Sequence, residues 1–420
     1  MLKLNLNNNS FLKGVTILSS GTIISQIVVV FSSLLLARIY NVSDFGILSL
    51  FTSINTILVI LFTGRYELAI GLPEKTHEAK KIITWIAVIG FLCSLLYFVA
   101  LMILKYQIDI SYFKNFLSSN IVFLGPIYTF LIVLNSSFLY WCQRNKKYKK
   151  IAFSNALQVI SNTLFTILLG YMNINNGLVF GLIFGVALSV TFLFFTEFSF
   201  SEFSLDKEVL SVAYRFISFP KYSLWSDLSI TITQQYIPMI FTFLFSATVV
   251  GLYSFSNRML RLPNIIITNS ISNVFRNEAI DTIRTFGECK NLYISTFKKL
   301  FFLGLPIYSF LFFCSPFLFN LFFGDKWIDA GYYSKILSVL LFTEFITIPF
   351  NTLFHIRNKQ KTIMQIQFAN FIVGFIMILI GGIHFKNPFW ALSLYCLSSS
   401  VFNFISLYQS YSLSKMRIKH

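Results

Sequence analysis

Residues 82–104 read IITWIAVIGFLCSLLYFVALMIL, an unbroken run without a charged side chain, with Lys80 and Lys81 before it and Lys105 after it. A helix of that length rises about 35 Å, enough to cross the roughly 30 Å hydrocarbon core of a bilayer. Strands of a membrane barrel would be half as long and would alternate polar with apolar positions. This one stretch therefore reads as a membrane-spanning helix.

The same pattern recurs from end to end. The expected spans are 11–36, 45–62, 82–104, 121–141, 151–170 and 177–195, then 222–245, 249–275, 300–323, 333–354, 363–383 and 389–413. The composition agrees: of 420 residues 56% are hydrophobic, only 12% are charged, and 51 are Phe, which excludes an ordinary soluble domain. The expected fold class is thus an all-α integral membrane protein with about twelve transmembrane helices, six plus six. The first apolar stretch follows Lys3 and Lys13 and runs on to Leu36 without a small-residue cleavage site, so it is read as a span rather than a signal peptide.

The net charge of +17 would suit nucleic acid if it were gathered on one soluble face, but Lys and Arg are spread over short loops, and no nucleic-acid partner is expected. With the N-terminus in the cytoplasm, 25 of the 33 basic residues fall on the inner side, 6 on the outer side and 2 within a span. The positive-inside rule favours that orientation and places both termini in the cytoplasm. The densest inner loop carries Arg144, Lys146, Lys147, Lys149 and Lys150. The five cysteines, Cys93, Cys142, Cys289, Cys314 and Cys396, are scattered, odd in number and without metal-ligand or redox spacing. No metal and no cofactor is expected.

No loop is long enough for a folded extramembrane domain. The longest inner linker, 198–221, sets Val209, Val212, Ala213 and Phe216 at helical spacing. It reads either as an amphipathic helix along the interface or as an inward extension of the next span. It divides an expected N-terminal bundle, 1–197, from a C-terminal bundle, 222–420. The halves look related: Arg144-Asn145-Lys146 recurs as Arg357-Asn358-Lys359, Phe153-x-Asn155 as Phe368-x-Asn370, and Gly46 with Ser49 as Gly251 with Ser254. Offsets of 205 to 215 residues suggest a parallel repeat of the kind that builds transporters.

Three stretches carry a family resemblance: Leu36-Ala37-Arg38-Ile39-Tyr40 through Asp44-Phe45-Gly46; Thr63-Gly64-Arg65-Tyr66-Glu67-Leu68-Ala69-Ile70; and Gly251-Leu252-Tyr253-Ser254 through Arg258 and Pro263 to Ile271, Val274 and Phe275. Together with the basic loop after the fourth span, they resemble the Wzx-like O-antigen and polysaccharide flippases of the multidrug/oligosaccharidyl-lipid/polysaccharide exporter superfamily. The resemblance covers the whole chain in the order and spacing of its spans. It implies two pseudo-symmetric six-helix bundles around a central cavity that opens alternately to either side of a bacterial inner membrane. It also implies a cargo of polyprenyl-diphosphate-linked oligosaccharide, contact with membrane lipids, and polysaccharide polymerase and chain-length machinery as further partners. Asn277-Glu278 departs from the family pattern of a proline and a basic residue, so no role is carried over there.

Candidate site residues follow from depth. Counted inward from Val249, Arg258 lies roughly 14 Å and Arg261 roughly 18 Å into the bilayer, three residues apart on one helix face. A guanidinium at that depth is costly unless it meets water, a partner or a ligand, and it suits a diphosphate because it forms charge-assisted, often bidentate bonds with phosphate oxygens. The bland alternative is structural ion pairing or snorkelling. Gln26, Gln234 and Gln235 also count to mid-depth, where their amides serve either sugar hydroxyls or neighbouring helices. Arg65 and Glu67 fall at the inner boundary, as loop anchors or as the cytoplasmic mouth where Arg65 first meets phosphate. Asp227, five residues into the seventh span, reads as shallow and structural. Glu344 is the one acidic group counted near the midplane, either titrating, pairing with an arginine, or bonding as a neutral acid to a neighbouring helix.

The competing functions are an enzyme of polysaccharide assembly (polymerase, ligase or acyltransferase), a cation or drug exporter of the same superfamily, and a scaffold without transport. The outer loops are short, and His77, His355, His384 and His420 all lie outside the middle of a span, so no catalytic set is expected. Two mid-depth arginines against one glutamate favour an anionic cargo over a cationic drug.

Overall fold

The computed structural model describes residues 26–107, 120–198 and 206–416. Residues 11–25 of the first expected span, and 199–205 of the linker, lie outside them. Every other expected span coincides with a helix. In chain order these are α1 (Gln26–Ile39), α2 (Val42–Thr63), α3 (Thr76–Gln107), α4 (Gly125–Arg144), α5 (Tyr148–Tyr171), α6 (Gly177–Glu197), the short α7 (Lys207–Arg215), α8 (Leu224–Leu244), α9 (Ala247–Phe286), α10 (Lys290–Phe323), α11 (Ile328–Thr347), the short α12 (Thr352–Ile356), α13 (Gln360–Leu379) and α14 (Pro388–Ser414).

Among the described residues, nine helical segments are long and apolar enough to cross a membrane. Beyond those nine, α8 and α9 are long but more polar, and they are the helices that carry Gln234, Gln235, Arg258 and Arg261. Large apolar side chains stand open on many helices, among them Phe31, Leu96, Phe195 and Phe313, as lipid rather than water requires. Local chemistry sets the ends: the Asn41 amide N–H donates to Asp44 Oδ2 at 3.0 Å at the start of α2, and Gly64 ends that helix with φ +56°.

The chain divides into two compact units, 1–243 and 244–420. α8, which the expected C-terminal bundle would include, is hydrogen-bonded to α2 and to Arg65 within the first of these units. Within that unit, α5 and α6 pack through Gly177, Gly181 and Gly185. A Cβ at Gly181 would stand 1.9 Å from Thr166 Oγ1, and one at Gly185 2.5 Å from the Gln158 carbonyl, so only glycine allows this approach. Asn135 crosses to the same pair: its Nδ2 donates to Gln158 Oε1 at 3.2 Å and its Oδ1 accepts from Ser189 Oγ at 3.0 Å. The linker resolves as α7. It buries Val209, Val212 and Ala213, the last two in the core of the first unit, and it is tied to the start of α3 by Lys81–Asp206 and Arg215–Glu78 ion pairs and a His77–Glu208 hydrogen bond.

The same turn follows α4 and α12, shifted by one residue from the alignment of the two Arg-Asn-Lys triplets. After α4 the left-handed residue is Lys146, and Lys147 N–H donates to the Cys142 carbonyl. After α12 the left-handed residue is Asn358, and Lys359 N–H donates to the Phe354 carbonyl. Arg144 and Arg357 therefore occupy adjacent rather than equivalent positions, yet both close a loop within their own unit. Arg144 donates to the carbonyls of Ile70 and Glu74 after α2, and Arg357 to those of Gly287 after α9 and Met416.

Candidate functional site

In the second unit, α9 and α11 bring Arg261 and Glu344 together. The guanidinium meets the carboxylate as a parallel fork, with both N–H···O distances 3.1 Å, and Arg261 Nε also donates to Asn257 Oδ1 at 2.7 Å. Asn257 is four residues before Arg261 on the same helix face. The pair is partly enclosed, with Arg261 37% and Glu344 17% exposed. Of the alternatives for Glu344, the geometry is therefore ion pairing, and its partner is Arg261 rather than Arg258.

Arg258 is different. It is exposed, and among the described residues it has no hydrogen-bond or ion-pair partner. One helix thus carries two arginines three residues apart, one neutralised and one open. The open guanidinium has all five donors available to a ligand. Tyr253, Tyr308 and Tyr395 stand within electrostatic reach of the Arg261–Glu344 pair, so aromatic side chains border the charge.

In the first unit, Arg65, Glu67 and Asp227 form one ion network. Arg65 Nε donates to Asp227 Oδ2 at 2.6 Å and its Nη1 to Glu67 Oε1 at 2.9 Å. Two consecutive left-handed residues, Gly64 and Arg65 at φ +56° and +60°, turn the chain out of α2 so that this side chain reaches α8. Burial draws the Arg65 guanidinium down, but the bonds and charges of Asp227 and Glu67 outweigh it and hold its pKa above the ordinary value. In this arrangement two carboxylates already surround Arg65, so a phosphate would have to displace them. Glu67 is nearly fully buried, and its Oε2 has no hydrogen-bond partner among the described residues.

The glutamines separate in the same way. Gln235 Oε1 accepts from Ser53 Oγ at 3.0 Å and so joins α8 to α2, whereas Gln234 is exposed on α8. Gln26 opens the described part of α1 and is half-buried. Asn257 and Ser53 were not among the residues expected from sequence. Asn257 had a signal, its spacing to Arg261; Ser53 had none. Among the described residues no group of His, Cys, Asp or Glu is arranged to hold a metal ion.

Described residues that are all helical, with nine segments apolar enough to span and guanidinium groups on a more polar long helix, give the architecture of a multi-pass membrane protein. The chain belongs to the polysaccharide biosynthesis protein family, whose model matches residues 35–331. Its fold is like that of several solved transporters. It is similar to a lipid II flippase, MurJ, in an inward closed conformation (15% identity, TM-score 0.69, covering 94% of this chain and 87% of that one). It is also similar to a multidrug resistance MATE family transporter of the MOP superfamily in an inward-facing conformation (14% identity, TM-score 0.67, 94% against 97%). A third similar structure is a MOP superfamily transporter from Pyrococcus furiosus, described as having a binding pocket of reverse polarity (14% identity, TM-score 0.55, 96% against 95%). No curated protein matches the chain by sequence.

Proposed function

We propose that this protein is a flippase that carries a polyprenyl-diphosphate-linked oligosaccharide, an O-antigen or capsular repeat unit, from the cytoplasmic to the outer leaflet of a bacterial inner membrane by alternating access. Both termini are cytoplasmic in this reading, and polysaccharide polymerase and chain-length machinery receive the product. The protein transports its substrate without chemically changing it.

The observation that carries the proposal is the open Arg258 guanidinium, one turn from a neutralised Arg261 on a membrane helix of a polysaccharide biosynthesis protein. A cation inside a membrane span is expensive unless it faces water, a partner or a ligand, and an unpaired one facing a cavity attracts an anion. A diphosphate fits that requirement: its oxygens accept the two parallel N–H groups of a guanidinium, and its double charge matches what Arg258 lacks. The Arg261–Glu344 fork holds the neighbouring turn and leaves Arg258 as the ligand-facing charge. Arg65 remains a candidate for the cytoplasmic entrance, provided that the cargo's phosphates exchange with Asp227 and Glu67. The cationic-drug reading is weaker, since Glu344, the acid counted at mid-depth, is already neutralised by Arg261.

The test is surface-glycan assembly in cells that depend on this protein. Arg258→Ala, inserted at the wild-type level, should block glycan display, and Arg258→Lys should restore it only in part because it keeps the charge and loses the planar fork. Normal glycan from Arg258→Ala would remove Arg258 from the mechanism.

A further inference from the structure

A groove of about 370 Å³ lies in the second unit between α10 and α14, away from the arginine site. It is lined by Tyr293, Ile294, Phe297, Phe404, Leu407, Tyr408 and Tyr411, almost entirely with apolar surface, and it opens outward past the exposed rings of Phe404 and Tyr408. The two helices meet end to end here. Cys289 N–H, just before α10, donates to the Ser414 carbonyl at the end of α14 at 3.0 Å. Further in, the Tyr293 hydroxyl donates to the Leu407 carbonyl at 2.9 Å and lies 3.0 Å from Ser410 Oγ.

Each wall continues into a lysine at that same end. Along α10, Lys290, Ile294 and Phe297 follow one helix face at four- and three-residue steps. Along α14, Phe404, Tyr408, Tyr411 and Lys415 do the same. Lys415 Nζ sits 3.9 Å from the centre of the Tyr411 ring, at the mouth of the groove. Arg357 adds a third cation beside them, donating to the carbonyls of Gly287 and Met416, and Glu288 is the neighbouring acid.

We propose that this groove is a binding site for an anionic phospholipid of the surrounding leaflet, with an acyl chain between α10 and α14 and the phosphate on Lys290 and Lys415. The chemistry is complementary at both ends. A narrow aromatic and aliphatic trough open to the bilayer takes a flexible hydrocarbon chain, whereas a hydrated oligosaccharide would leave its hydroxyls unbonded there. A pair of lysines where two membrane helices end takes a phosphate, as basic pockets at membrane boundaries do. The proposal is independent of the cargo bound at Arg258.

The experiment is native mass spectrometry of the purified full-length protein, stripped of lipid and titrated with phosphatidylglycerol, phosphatidylcholine or undecaprenyl phosphate. The wild type should retain phosphatidylglycerol in preference to phosphatidylcholine. Lys290→Ala/Lys415→Ala should weaken phosphatidylglycerol binding on the order of tenfold or more, given about a tenfold effect per 1.4 kcal/mol and two lysines at a lipid phosphate. Lys75→Ala/Lys149→Ala removes the same charge from exposed positions of the first unit and should change nothing. Equal retention of both phospholipids, or equal loss in both double variants, overturns the site. Displacement of phosphatidylglycerol by equimolar undecaprenyl phosphate, abolished in the Lys290/Lys415 variant, would assign the groove to the carrier lipid and overturn the phospholipid proposal.

Discussion

Replacing Glu344 with Gln removes one charge from a defined fork and changes almost nothing in shape. In the structure Glu344 receives two N–H groups from Arg261 at 3.1 Å each. The amide keeps one acceptor, turns the other contact into a donor facing a donor, and leaves the guanidinium with that one oxygen and Asn257 Oδ1 but no counter-charge. Truncating one side of a fully desolvated charge pair costs about 2–5 kcal/mol. Arg261 is 37% exposed, and water recovers part of that cost. The expected loss is therefore about 1.5 kcal/mol. For a cooperative unit of roughly the size of 244–420, about 2–4 °C per kcal/mol gives a fall in melting temperature of about 3–6 °C. The assay is a thermal melt of purified protein in one detergent and at one pH. A second change, Arg261→Gln in the Glu344→Gln background, should recover part of the loss, since the stranded charge is then gone. A Glu344→Gln protein melting within 1 °C of wild type would refute the claim that this pair holds α9 to α11.

Three further outcomes are expected. Gly181→Leu should lower thermal stability by more than about 2 kcal/mol, because even a Cβ there collides with Thr166 Oγ1, whereas Leu at Gly71, where nothing stands within 4 Å, should be tolerated; equal melting of the two variants would contradict the close α5–α6 approach. Asp227→Asn should leave Arg65 held by Glu67 and lower thermal stability by about 1 kcal/mol or less, given the partial exposure of both partners; a loss above about 2 kcal/mol in a melting curve would contradict a partly screened pair. Reporter fusions after Lys149 and Lys359 should read as cytoplasmic and those after Lys114 and Lys386 as external; reversal at two of the four would defeat the proposed orientation.

Much of this architecture was legible because a bilayer imposes long apolar runs, and eleven of the twelve expected spans coincide with helices over their whole core, the first over its described part. The two basic turns were legible as alike, but not in their register. Identical triplets suggested one alignment, while the backbone turn, which depends on which residue takes positive φ, chose a neighbour. Gly177, Gly181 and Gly185 repeat every four residues, a pattern that the sequence displays openly and that accounts for the tight α5–α6 pair. The site was harder. Depth counting singled out Arg258, Arg261 and Glu344, but the two arginines share one face of α9, and only the packing of α11 determined that Arg261 took the carboxylate. The Arg65–Asp227 bond joins positions 162 residues apart, and nothing local in either segment announces it.

The central claim is that Arg258 binds the diphosphate of a lipid-linked sugar during its passage across the membrane. Its most direct test is flipping of a fluorescent polyprenyl-diphosphate oligosaccharide in proteoliposomes holding equal amounts of wild-type, Arg258→Ala or Arg258→Lys protein, each shown to melt at the wild-type temperature. The account predicts transfer by the wild type, little or none by Arg258→Ala, and an intermediate rate for Arg258→Lys. Transfer by Arg258→Ala at the wild-type rate would contradict it.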